Sequence, residues 1–426
     1  MSEDPHRLPR HTTPTWEVEL LISGVAVFAM LQLPGWLDDR YFDLSPRFGH
    51  GWETPLLLTY VYLKGAAVIL AITFALHLLL RAQWIAQVGM HSVFPEGIKW
   101  ERLRIGPLMR EIEERRYGGA EASVERADNR ATTVFAIGVM LASSLLLLGF
   151  LLPAAFAVAM LALRLLGITV DPSQVFVACV IVLVLPALLA QRIDRTFGQR
   201  LHRGGFVQRL LSGVIETYSR IGLMSRSSSP VFSLLASHGG ELRAMVFTVA
   251  VVMATITGVG MSMKALQDPA AIGGYATFPV FADGSRTVDS RHYDDQRDVA
   301  HDPPTAYIQS AVVAGPYLRL TVPYDPKRDS AAMRGCAVPA GTDDAKAAAR
   351  LDCLQSLHGV ALDGKPLPGL RYDLGSDART DRPALVAMID VRALVPGRHE
   401  LQVSHPPKSG GNHEDDPGFD RIPFWR

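Results

Sequence analysis

Few side chains able to do chemistry stand where the chain is most apolar. Lys64 is one of them, seven to nine residues inside the apolar run that starts near Pro55. An ionisable group at that depth of a lipid-spanning helix is costly and is by default a functional candidate. Two readings are open. Lys64 pairs with Asp38 or Asp39 or reaches toward water along its flexible stem, or it belongs to an ion or substrate path. Arg164, near the far end of another apolar run, is the second such charge.

A denser cluster lies downstream in "RHYDDQRDVAHD", which holds His292, Asp294, Asp295, Asp298, His301 and Asp302. Imidazole and carboxylate together are divalent-metal donors. The surrounding residues are turn formers with no helix or strand to fix geometry, so the cluster reads as a solvated connector; so does "GGNHEDDPG". Cys336 and Cys353 flank "AVPAGTDDAKAAARLD" and are a disulfide candidate, which would stabilise by about 3 kcal/mol for a loop of that size. Cys179 lies in an apolar run and reads as an inert core thiol. The chain carries no P-loop, G-x-S-x-G, H-E-x-x-H, paired CxxC or dinucleotide fingerprint. No catalytic, cofactor-binding or metal residue is assigned, no cofactor is implied, and the expectation is a protein that is not an enzyme.

The elements that position these residues follow from hydropathy. A spanning helix needs about 20 apolar residues at about 1.5 Å rise each. Five stretches qualify, near 17–35, 55–80, 132–166, 174–191 and 244–263, within a transmembrane domain of residues 17–265. Charge-free runs such as "TTVFAIGVMLASSLLLLGFLLPAAFAVAMLAL" exceed what soluble helices carry. The stretch 132–166 is long for one straight crossing, and Pro153 predicts a kink; one kinked helix is favoured over two short ones. Residues 1–16 form a polar tail, and the first span reads as a retained anchor.

Basic residues mark the sides, because Lys and Arg near span ends hold connectors in the cytoplasm. Connector 81–131 carries nine of them, 192–243 eight, 34–56 two, and "GITVDPSQ" none. The alternation predicts a cytoplasmic N-terminus, five crossings and a C-terminal domain on the far side. Within the first basic loop, "LMREIEERR" predicts a short helix with proline at its start. In the second, Val207, Leu210, Leu211, Val214, Tyr218 and Ile221 recur at helical spacing. That pattern predicts a helix lying on an anionic leaflet or packed on the protein's own cytoplasmic face.

After residue 265 the composition turns polar. Residues 266–304 read as a linker and 305–426 as an all-β, sandwich-like soluble domain, with strands expected in "AYIQSAVV", "YLRLTVPY", "HGVALDG", "LVAMIDV" and "HELQVSH". The cysteine pair falls in this exported part. Arginine outnumbers lysine, and neither Asn129 nor Asn412 lies in a glycosylation sequon. Both lean toward a bacterial inner membrane with a periplasmic domain. Zero formal net charge speaks against nucleic acid as a partner. The expected partners are the bilayer, a protein bound through the C-terminal domain and further copies of the chain. The functional expectation is an envelope anchor or scaffold; the alternative is a channel or transporter subunit.

Overall fold

The computed structural model describes residues 15–48, 52–200, 205–221, 230–267, 288–407 and 418–426. The chain is mostly helical up to residue 267 and divides into two compact units.

The first unit holds residues 58–161 and 177–260 together with the start of the chain. Its helices are α1 (Thr15–Leu44), α2 (Glu53–Val93), α3 (Pro107–Tyr117), α4 (Ala120–Leu165), α5 (Pro172–Phe197), α6 (Phe206–Ile221), α7 (Pro230–Gly239) and α8 (Glu241–Gln267), several of which run on into the second unit. Among the described residues, four helical stretches are long and apolar enough to cross a membrane: Glu53–Val93, Ala120–Leu165, Pro172–Arg200 and Glu241–Leu266. The first expected span, 17–35, lies within α1, and its opening side chains up to residue 20 fall outside the described residues. The long stretch 132–166 is a single helix that passes through Pro153 without a break.

α2 and α4 run antiparallel in one continuous register. Gly149 faces Tyr62 and Leu63, and Gly138 sits on Thr73. Farther along, His77 Nδ1 lies 3.2 Å from the Ala131 carbonyl, and Arg81 reaches Asp128 at 2.7 Å. Glycines at the crossing let the backbones approach, as dispersion-driven helix packing requires. Gly65 brings α8 to the same seam, since a side chain there would touch Leu145 and Thr255. Around it Ala66, Ile69, Met140, Leu141, Ala142 and Leu145 form an apolar core.

Both helices outrun their apolar stretches. The basic connector 81–131 is therefore largely a helical hairpin, with α3 packed at its end. Pro107 starts α3 and Gly118 ends it at φ +62°, the left-handed cap glycine allows. Tyr117 gathers this corner, with Trp100 and His91 against its ring and its carbonyl accepting from Arg126.

The second unit comprises residues 38–57, 162–176 and 261–426. Its body is two four-stranded antiparallel sheets. One has the order β1 (Tyr307–Ile308), β2 (Tyr317–Pro323), β6 (Pro383–Asp390), β5 (Asp373–Ser376). The other has β4 (Lys365–Pro366), β3 (Val360–Leu362), β7 (Arg398–Ser404), β8 (Phe419–Trp425). Alternate residues of the long strands point inward, and Leu318, Leu320, Ile389, Leu401, Ile422 and Phe424 meet in one core. Val313 and Trp425 stitch the sheets together, the Val313 amide donating to the Trp425 carbonyl at 2.8 Å. Short helices α9 (Asp329–Met333) and α10 (Asp343–Leu357) fill the link between β2 and β3. Thr342 caps α10 by accepting the Ala345 amide.

One expectation is corrected. The linker read over 266–304 is a folded part of this domain from residue 288 onward; 268–287 lie outside the described residues. Tyr293 is fully buried, bridges to Ile308 and donates its hydroxyl to the Pro423 carbonyl at 2.6 Å. The charges around it satisfy one another, so a segment that reads as solvated has an aromatic anchor at its centre.

Candidate functional site

In the second unit the connector between α1 and α2 is tied to the β domain by charge. His301 Nδ1 contacts Asp298 at 2.7 Å and its Nε2 contacts Asp39 at 3.3 Å. Phe42, at the end of α1, meets the His301 ring edge-on with centroids 5.1 Å apart. Arg382 reaches both the carbonyl and the carboxylate of Asp43 at 3.4 Å, and Lys327 lies 3.5 Å from Glu53. Burial alone would raise the Asp298 carboxyl, but the His301 side chain and the Ala300 and His301 amides together hold it below the usual range.

Near His301 in sequence, Arg297 centres a buried charge cluster. Arg297 donates to both oxygens of Asp377, at 2.7 and 2.8 Å, and its Nε donates to Asp294 at 2.9 Å. Its guanidinium stacks 3.9 Å over the Tyr307 ring. Asp377 also accepts the amides of Arg379 and Thr380. Burial opposes ionisation of Asp377, yet these donors bring its carboxyl down to about 2. The adjoining crevice, lined by Arg291, Asp302, Thr305 and Arg382, measures about 20 Å³, room for one water.

A second, more apolar cleft of about 90 Å³ opens between the ends of β2, β5 and β6 and the α9–α10 segment. Leu354, Leu374, Leu385 and Val322 line it, and Asp329 and His358 lie in its wall. Both are buried, with His358 Nε2 3.2 Å from the Asp329 carboxylate and Nδ1 3.0 Å from the Ser404 carbonyl. A carbonyl can only accept, so Nδ1 carries a proton and donates. Neither ring nitrogen meets a hydroxyl or thiol, so the pair fixes α9 to the end of β7 rather than activating a nucleophile. Beside the cleft, β5 is an edge strand that pairs only with β6 among the described residues, and Leu374 on it is 67% exposed.

The sequence-derived candidates are dispersed. Lys64 is buried in α2, its ammonium 3.1 Å from the Tyr60 hydroxyl one turn away. Asp39, one of its two expected partners, faces His301 instead. Arg164 is exposed in the last turn of α4. The sulfurs of Cys336 and Cys353 are bonded to each other with Cα atoms 6.1 Å apart, joining the residues after α9 to α10. Cys179 is free, half-buried in α5. Of the histidine–aspartate run, Asp294, Asp298, His301 and Asp302 are used in the ion pairs and turns of the fold, and no group of three or more metal donors occurs among the described residues. Sequence reasoning missed Arg297–Asp377 and Asp329–His358, whose partners lie 80 and 29 positions apart. The one local signal is the turn at Asp377, whose carboxylate accepts two following amides. The chain matches no known protein family, and no characterised protein or solved structure is significantly similar to it.

Proposed function

We propose that the chain is a multi-pass protein of a bacterial inner membrane that works as a non-enzymatic envelope anchor. Its spans cross five times, residues 1–16 and the basic connectors stay on the cytoplasmic side, and the β domain stands in the periplasm. The observation that carries this reading is the make-up of the second unit. Connector 38–57, the 162–176 turn and the β domain cluster together, and the ion pairs of Asp39, Asp43 and Glu53 hold the connector to the domain. The β domain and the 38–57 connector thus belong to one compact unit. An oxidising compartment would suit the Cys336–Cys353 bond.

The partner surface proposed is the open edge of β5 with its apolar cleft. An extended segment of a partner protein would add a strand beside β5 and seat an aliphatic side chain against Leu374 and Leu385. A photo-crosslinking residue in place of Leu374, in the full-length protein in living cells, should give a discrete adduct; the same residue at exposed Val395 should not. Equal yields at the two positions, or none at Leu374, would refute this surface.

A channel or transporter subunit is the second reading, favoured by the burial of Lys64 within an apolar helix. Lys64→Gln in reconstituted vesicles should then change solute flux; unaltered flux removes this reading.

A further inference from the structure

The connector between α5 and α8 does not stay at the charged end of the bundle. α5 ends its apolar run at Ala190 and continues into Gln191, Arg192, Asp194 and Arg195. From that charged end α6 turns back along α5, for the Tyr218 hydroxyl donates to the Val182 carbonyl at 3.0 Å. Val182 lies eight residues inside Ala190, about 12 Å into the apolar length at the rise of a helix. α7 supplies an independent depth mark. Val231 and Phe232, in its first turn, pack on the core formed by Ala66 and Ile69 of α2 and Met140 to Leu145 of α4, alongside Val251 and Val252 of α8. Val251 lies ten residues after Glu241, the charged start of α8, hence about 15 Å deep. α7 then climbs to Gly240, whose φ of +93° makes the tight turn into α8. Thus α6 descends from the charged end and α7 returns to it.

The faces of α6 say what surrounds it. Leu211, Val214, Ile215 and Tyr218 are half-buried, whereas Arg209, Gly213, Glu216, Thr217 and Arg220 form an exposed stripe. The Arg220–Glu216 pair at 2.7 Å keeps 79% and 64% of its side chains exposed. The apolar side of α6 is shared: Leu211, Val214, Ile215 and Tyr218 are half-buried, with Tyr218 bonded to α5, while Phe206, Val207 and Leu210, nearer the charged end, are exposed. Charged groups at such depth are tolerated only against protein or water.

We propose that α6 and α7 form a re-entrant helical hairpin, and that the Arg209–Glu216–Arg220 stripe lines a water-filled inlet open at the basic end of the bundle. With two guanidiniums to one carboxylate, the inlet takes small anions in preference to cations. The proposal stands independently of any partner at β5.

The test uses the full-length protein in membranes, in a Cys179→Ala background. Tyr218→Cys with Val182→Cys should form an oxidant-induced disulfide, which a helix on the surface could not reach. Thr217→Cys should react with water-soluble thiol reagents from the basic side, a sulfonate reagent outpacing an ammonium one by on the order of tenfold, the lower end of what a one-signed cleft produces. Failure of the 182–218 disulfide overturns the hairpin. If it forms but Thr217→Cys reacts only with a lipid-permeant maleimide, or is shielded from all reagents by a second copy, the inlet is overturned. A faster ammonium reagent refutes the anion preference alone.

Discussion

Arg297→Met should be among the most damaging substitutions in the β domain. The guanidinium makes two hydrogen bonds to Asp377, at 2.7 and 2.8 Å, and the two side chains are 8% and 3% exposed. Methionine keeps the stacking volume over Tyr307 but leaves the buried carboxylate with only the Arg379 and Thr380 amides. Stranding one member of a buried pair costs about 3–5 kcal/mol. Replacing both members with apolar residues, Arg297→Met with Asp377→Leu, should recover a large part of that loss, because no buried charge remains. The pH dependence has a definite sign. The folded-state carboxyl of Asp377 is held at about 2, below its ordinary 3.8. Its contribution is therefore fully present above about pH 4 and fades as pH falls toward 2, amounting to about 2 kcal/mol at neutral pH. Hydrogen exchange on β2 and β6 peptides of the full-length protein measures the opening free energy of this sheet directly. A change below about 1 kcal/mol for Arg297→Met, the value of an exposed pair, would refute the reasoning.

Three further outcomes follow from other parts of the fold. His399 donates from one nitrogen to Asp363 at 2.7 Å and from the other to the Val395 carbonyl at 2.8 Å, and the Asp363 hydrogen bond raises its pKa above 6.5. The stability it adds is fully present below about pH 6.5 and lost as pH rises through the folded value, so His399→Gln should cost more in unfolding at pH 6 than at pH 9. A Cβ at Gly138 would overlap the Thr73 side chain, whereas Gly89 has open space. Gly138→Leu should cost about 1–3 kcal/mol by overpacking and increase protease cleavage in membranes, with Gly89→Leu unaffected. Before reduction only Cys179 should take up maleimide in denatured protein extracted from cells, and Cys336→Ser should lower the unfolding midpoint of the β domain, its closed loop contributing about 3 kcal/mol.

Long charge-free runs made α2, α4, α5 and α8 legible, and alternation did the same for β2, β6 and β7. Other elements were hidden by identifiable features. β8 carries Pro423 in its middle, tolerable because β8 is an edge strand, but on paper proline argues against a strand. β5 is only four residues with a glycine among them. Segment 288–304 looks solvated because its charges are many; that Arg297 answers Asp377 and His301 answers Asp39 depends on partners 80 and 262 positions away. The amphipathic pattern of α6 was plain, yet periodicity fixes only which residues share a face. Which surface that face meets is set by Tyr218 and Val182, a tertiary fact. Lys64 stood out by depth alone, and its neighbour Tyr60 is one helical turn away on the same strip of α2.

The threading of the spans bears most of the account's weight, and reporter fusions to the full-length chain measure it directly. Alkaline phosphatase joined after Arg426 should be active and a cytosol-dependent reporter there silent, with the reverse for fusions made at Gly119 in the basic connector. Phosphatase activity at Gly119 together with cytosolic activity after Arg426 would contradict the account and put the β domain on the wrong side of the membrane.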